Sequence, residues 1–169
     1  YNLTEEQGWF PDLEALEAQG LDDVKLMWVS YPHMPTGATA DASQFKALIA
    51  FARRNNILVV NDNPYSFVLT HRPLSILAIP EARGHVLELN SLSKTFNMAG
   101  WRVGMLLGEA QLLKAVLQVK SNMDSGMFYG IQKGAVAALK SGQSWFEHLD
   151  ATYRRRRAGV FQIADRLGC

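Results

Sequence analysis

An α/β fold with a mostly parallel sheet and flanking helices is what this sequence predicts, from three observations. Four short apolar runs, VKLMWVSY (24–31), NILVVND (56–62), HVLELNS (85–91) and RVGMLLG (102–108), have the length and the Val, Ile and Leu content of strands. They alternate little between polar and apolar residues, as strands covered on both faces should. A helical pattern separates the first two runs and three more follow the fourth, which is the order of a layered α/β sheet rather than of a sandwich or a bundle.

Each element has its own signal. After the first run, DASQFKALIAFARRNN (41–56) places Phe45, Leu48, Ile49 and Ala52 at i, i+3, i+4 and i+7, with Asp41 positioned to cap the start. Strand, helix and strand then form a crossover unit. The link between the second and third runs (64–84) is broken by Pro73 and Pro80 and holds either a short helix or only loop; it is long enough for a parallel crossover. Beyond the fourth run, residues 109–120, 129–140 and 144–167 all show helical spacing, as with Leu112, Val116 and Val119, then Ile131, Ala135 and Leu139.

Bulk properties narrow the functional classes. With 169 residues, 48% of them hydrophobic, the chain can bury a core as one globular domain. A net charge of +1 gives no general pull toward nucleic acid or an anionic membrane. Arg154 to Arg157, flanked by Asp150 and Asp165, read as a solvated helix face. One cysteine, Cys169, excludes an internal disulfide and suggests a reducing, cytoplasmic setting. No apolar stretch approaches the roughly 18 residues of a membrane span, and the first residues lack a charged-then-apolar leader pattern, so a soluble protein is expected. Asn2-Leu3-Thr4 fits a glycosylation sequon and is read as coincidence in that setting. The chain opens on Tyr1 without a methionine and closes on ADRLGC, which suggests a piece of a longer protein.

The chemistry is expected at one edge of the sheet, because parallel sheets bind ligands outside the carboxyl ends of their strands. Three runs end in polar or turn-forming clusters: Tyr31 to Gly37, Asp62 to Tyr65, and Ser91 to Lys94. Neighbouring parallel strands would bring these together. A lysine amine becomes a nucleophile when burial or a nearby cation disfavours its charged form, and its characteristic covalent act is a Schiff base with a carbonyl. Pyridoxal 5'-phosphate needs such an amine for its aldehyde, a carboxylate at its ring nitrogen, and donors for its phosphate. Lys94 is the candidate amine, Asp62 the carboxylate, and Arg102 and Ser91 the phosphate donors. No metal is expected.

Taken singly, each residue has an ordinary explanation. Lys94 and Arg102 would pass as surface charges, Asp62 and Tyr65 as turn residues at a strand end. Ser91-Leu92-Ser93-Lys94 also fits the S-x-x-K signature of serine acyl-enzymes, but the S-D-N and K-T-G elements those enzymes need are absent from the sequence. It is the joint occurrence that carries the cofactor reading.

The stretches YPHMPTG (31–37), NDNPYSF (61–67) and SLSKTFNMAGWRVG (91–104), in this order and at these separations, resemble the class I and II aminotransferases, fold type I pyridoxal-phosphate enzymes. The resemblance runs from the first residues to about 140. It implies residues 1–140 as the central part of a cofactor-binding large domain of the aspartate aminotransferase-like fold, and 141–169 as a helix leading toward a small domain. It implies Lys94 as the Schiff-base lysine that also carries the proton at the substrate α-carbon, Asp62 as the partner of the pyridine nitrogen, and Tyr65 as the phenol bonded to the ring's 3'-oxygen. Ser91, Ser93 and Arg102 match phosphate ligands. Where the family has an asparagine donating to the same 3'-oxygen, this sequence has Met34, a thioether that cannot replace that donor, beside His33.

The implied activity is amino-group transfer between an amino acid and a 2-oxo acid, in a homodimer, with this stretch alone inactive. Carbon-sulfur lyases and the non-catalytic cofactor-sensing domains of transcription regulators share the same motifs. KSNMDSGMFYGIQ (120–132) resembles the corresponding stretch of diaminopimelate-type aminotransferases, which tilts the substrate toward a dicarboxylic or diamino acid.

Overall fold

The four apolar runs become β1 (Leu26–Val29), β2 (Leu58–Asn63), β3 (Val86–Ser91) and β4 (Gly104–Gly108), hydrogen-bonded in that order into one sheet. They are seen here in a computed structural model, which describes residues 1–70 and 72–169. β1, β2 and β3 are parallel neighbours, and β4 runs antiparallel to β3. The reversal has a local cause. Residues 92–103 wind into a one-turn helix, α3 (Leu92–Thr95), and a 3₁₀ turn (Ala99–Trp101), which turns the chain back along β3 instead of carrying it across the sheet.

Helix α2 (Ala42–Arg54) begins at a full capping box. Asp41 Oδ1 accepts from Gln44 N at 2.9 Å, and Gln44 Oε1 accepts from Asp41 N at 3.0 Å. It buries Phe45, Leu48, Ile49, Phe51 and Ala52 against Met27, Val29, Val59 and Val86 of the sheet. Asp41→Ala removes the accepting carboxylate, and the expected cost is about 1 kcal/mol of stability, read as a lower urea midpoint at unchanged slope.

A six-residue helix, α1 (Leu13–Ala18), precedes β1, capped by Asp12 and packing Leu13 and Leu16 on the same core. It is too short for helical periodicity to reveal. The proline-broken link resolves as two single 3₁₀ turns, Ile76–Ala78 and Pro80–Ala82. Pro80 opens the second turn, where its missing N–H costs nothing, and Ile76 fills the core.

The three C-terminal patterns are α4 (Ala110–Met123), α5 (Tyr129–Leu139) and α6 (Gln143–Leu167). Ile131, Ala135 and Ala138 of α5 close a second core over Leu92, Met98 and Val103, so the link bearing Lys94 has apolar support of its own. The first turns of α6 pack on two site segments at once. Trp145 stacks on Phe96 and donates Nε1–H to Thr95 O at 2.9 Å; Phe146 meets Phe67, and Asp150 Oδ1 accepts from Leu69 N at 2.9 Å. Its outer half leaves Val160, Phe161, Ile163 and Leu167 exposed. Among the described residues, no helix is long and apolar enough to cross a membrane.

Candidate functional site

The parallel register sets Val29, Asn61 and Glu88 level, so the carboxyl ends of β1, β2 and β3 share one edge. The three clusters expected there are brought to it. The turn 31–37 and the segment 65–70 border one cavity, lined in part by His33, Met34, Thr36 and Tyr65.

Asp62 lies in β2 beside Leu89 of β3, on the sheet face opposite Asn61, because successive side chains of a strand alternate. It is partly buried, and burial holds its carboxyl above the usual carboxylate range. Among the described residues it has no hydrogen-bond or ion-pair partner. Because the native state holds this proton more tightly than the unfolded chain, stability falls as pH rises from the ordinary carboxylate range through Asp62's raised midpoint, and stays low above it. In cofactor-free protein, Asp62→Asn should therefore raise stability at pH 7 by less than about 1 kcal/mol, since solvent screens the group. The gain should vanish at acid pH, where the wild-type carboxyl is already protonated; urea titrations between pH 3 and 7 check this.

Ser91 closes β3 and caps α3. Its Oγ accepts from Ser93 N at 3.1 Å, which leaves the hydroxyl proton available for a ligand acceptor. Ser93 is half-buried in the same turn. Lys94 is exposed between the buried Leu92 and Thr95, so its stem leaves a fixed backbone while its ammonium faces outward. Arg102 ends the 3₁₀ turn in the left-handed region, φ 56° and ψ 46°, and donates Nη1–H to Ala99 O at 3.0 Å. A non-glycine residue there costs on the order of 1 kcal/mol, and such outliers gather at ligand-binding turns.

Tyr65 is half-buried in the turn after β2, where its carbonyl accepts from Val68 N at 2.9 Å. On the facing turn, Met34 is exposed, and His33 engages Thr36 Oγ1 through Nδ1 at 2.7 Å, with Gly37 at φ 75° closing the loop. Nδ1 of His33 is thus committed to its own turn.

These residues fit pyridoxal phosphate by the chemistry of their donors. A partly buried carboxylate without a partner suits a cationic ring N–H, Ser91 offers a free O–H, and Arg102 has most of its five donors available for a phosphate.

Sequence reasoning missed the buried, mutually hydrogen-bonded polar side chains Asn61 and Glu88 at this edge, both interior to strands. Their signal was present: one acid within VLEL and one amide within LVVND, inside runs otherwise read as apolar. It also missed Trp145, which reads in sequence as one more apolar helix position.

The likeness to known proteins covers the whole edge. The chain is 38% identical over 169 residues to the LL-diaminopimelate aminotransferase of Nitratidesulfovibrio vulgaris (strain DSM 19637 / Miyazaki F), and 34% identical over 168 residues to that of Aquifex aeolicus. Each match takes in 98% of this chain and 43% of the relative. The chain thus spans under half the length of these curated relatives. Among solved structures, apo-BacF from Bacillus subtilis superposes with a TM-score of 0.91 at 36% identity, over 97% of this chain and 42% of that one. The aspartate aminotransferase of Thermus thermophilus with maleate gives 0.87 at 27%, over 98% and 44%. The sheet with its antiparallel fourth strand, and the segments that bear Asp62, Ser91, Lys94 and Arg102, therefore share the aspartate aminotransferase-like fold. The model of the family described as aminotransferase class I and II matches residues 1–168, nearly every position of the chain, and to that family the chain belongs.

Proposed function

We propose that the protein carrying this chain is a pyridoxal-phosphate-dependent aminotransferase, moving an amino group between an amino acid and a 2-oxo acid in the cytoplasm. The observation that carries this reading is the gathering of Asp62, Tyr65, Ser91, Ser93, Lys94 and Arg102 around one sheet edge, in a chain of this family. When bound, the cofactor supplies an aldehyde that condenses with amines and a ring that withdraws electrons from a breaking bond.

The chain's own residues do the rest. Lys94 Nζ would provide the amine for that aldehyde and would take and return the proton at the substrate α-carbon. Asp62 holds a proton on the ring nitrogen through a charge-assisted hydrogen bond. Tyr65 donates its phenol to the ring's 3'-oxygen, a role it carries without an amide partner because Met34 stands in the facing turn. Ser91, Ser93 and Arg102 would hold the phosphate.

The substrate class we assign is a diamino dicarboxylic acid. The names of the similar enzymes and the stretch 120–132 support it. In this reading residues 1–140 belong to the cofactor-binding domain, 141–169 lead toward a smaller one, and the working form is a homodimer.

The test mixes the full-length protein with pyridoxal phosphate, LL-diaminopimelate and 2-oxoglutarate and follows new glutamate by mass spectrometry. Glutamate in proportion to consumed donor is expected. Ammonia and a 2-oxo acid without glutamate would point to lyase chemistry, and cofactor binding without turnover to a sensing domain. The 169-residue chain by itself should show no turnover and bind cofactor weakly, because it spans under half of the similar enzymes; loss of several hydrogen bonds to a charged group, about 1.5 to 3 kcal/mol each, is worth several orders of magnitude in affinity. Absorbance of the chain mixed with pyridoxal phosphate checks it.

A further inference from the structure

We propose that the buried pair Asn61 and Glu88 positions Asp62, making both of them positioning residues for the reaction. The proposal rests on the aminotransferase reading for its functional consequence, and on geometry for the placement itself.

Asn61 is 0% and Glu88 2% exposed. Three hydrogen bonds join them to each other and to two further segments. Asn61 Oδ1 accepts from Tyr31 N at 3.1 Å, Asn61 Nδ2 donates to Glu88 Oε2 at 3.2 Å, and the same oxygen accepts from Ile76 N at 3.1 Å. The end of β1, the middle of β2, β3 and the 3₁₀ turn before β3 are thereby tied at one point.

Burying a carboxylate and an amide is costly unless both are bonded, and a well-packed apolar pair often serves stability equally well. What the polar pair supplies here is direction. The β2–β3 backbone ladder fixes the register of the two strands, and the side-chain bonds add directional ties to Tyr31 and Ile76, which lie outside that ladder.

Asp62 is the next residue along β2, and its carboxylate has no protein partner among the described residues to aim it. Its aim is therefore set by its backbone, and that backbone is pinned one residue earlier, from the opposite face of the sheet. The same pin holds Tyr31, where the turn bearing His33 and Met34 begins.

The test compares wild type, Asn61→Ala and Glu88→Gln in the full-length protein. Glu88→Gln keeps an acceptor oxygen for both donors and serves as the conservative variant. In cofactor-free protein, carbon NMR of labelled aspartate follows the Asp62 carboxyl. Asn61→Ala should drop its titration midpoint toward the ordinary carboxylate range as the side chain loosens into water, while Glu88→Gln should hold it near wild type.

In loaded protein, Asn61→Ala should lower kcat by about ten- to a hundredfold, the loss expected for a group misplaced by about 1 Å, with KM within about threefold. Glu88→Gln should recover most of that loss. An Asn61→Ala protein with wild-type Asp62 titration and wild-type kcat, whatever its melting temperature, overturns the proposal. If that variant does not fold, Asn61→Ser, which reaches only one partner, is read by the same two measurements and the same criterion. A wild type that binds no cofactor overturns the aminotransferase reading instead, and the cofactor-free titration still decides whether the pair places Asp62.

Discussion

Lys94→Ala in the full-length protein is expected to lose amino-group transfer by about a thousandfold or more, while the fold is kept. In the proposed function two roles meet in this one amine, covalent attachment of the aldehyde and proton movement at the α-carbon, and a positioned proton carrier alone contributes about 10² to 10⁴. The side chain is exposed and its neighbours Leu92 and Thr95 carry the packing, so truncation leaves the second core of Leu92, Met98 and Val103 untouched. Borohydride treatment supplies an independent check: wild type should keep cofactor covalently after reduction and the variant should not. A variant that keeps a reducible cofactor bond would remove Lys94 from its assigned place.

Asp62→Asn should separate chemistry from binding. The amide cannot hold a proton on the ring nitrogen as a carboxylate does, so turnover should fall by roughly ten- to a hundredfold, the scale of a lost hydrogen bond to a charged group of about 1.5 to 3 kcal/mol. Cofactor affinity should change less than about tenfold, because in the proposed site Ser91, Ser93 and Arg102 would hold the phosphate independently. Steady-state rates with saturating cofactor, set beside an equilibrium titration, measure both. Equal turnover in the two proteins would exclude Asp62 as the ring partner. The stability gain expected for the same variant without cofactor has the opposite sign, as befits a carboxylate kept at some cost to the fold.

The sheet was legible because burial on both faces leaves near-continuous runs of Val, Ile and Leu, and the carboxyl-edge clusters followed from strand direction alone. Strand ends came out one or two residues long in places: β1 begins at Leu26 rather than Val24, where pairing with Leu58 starts. The direction of β4 was not legible, since it depends on how residues 92–103 fold up, and a one-turn helix leaves no period to read. Arg102 could be named from its neighbours, but its left-handed backbone could not, because such a conformation belongs more often to glycine. Asn61 and Glu88 interrupt the runs as if by accident. Only the register, which sets them level and on one face, shows that they are partners.

Helix α6 can also be considered as a mechanical part. At 1.5 Å per residue, its 25 residues make a rod about 37 Å long, clamped near one end and apolar at the other. The clamp has two jaws: the indole of Trp145 grips the carbonyl next to Lys94, and Asp150 grips the amide of Leu69 in the segment that follows Tyr65. A rod held this way is a lever with a short inner arm. A swing of its outer tip would therefore be felt at the lysine turn and the tyrosine loop together, because both are bonded to the same inner turns of the helix.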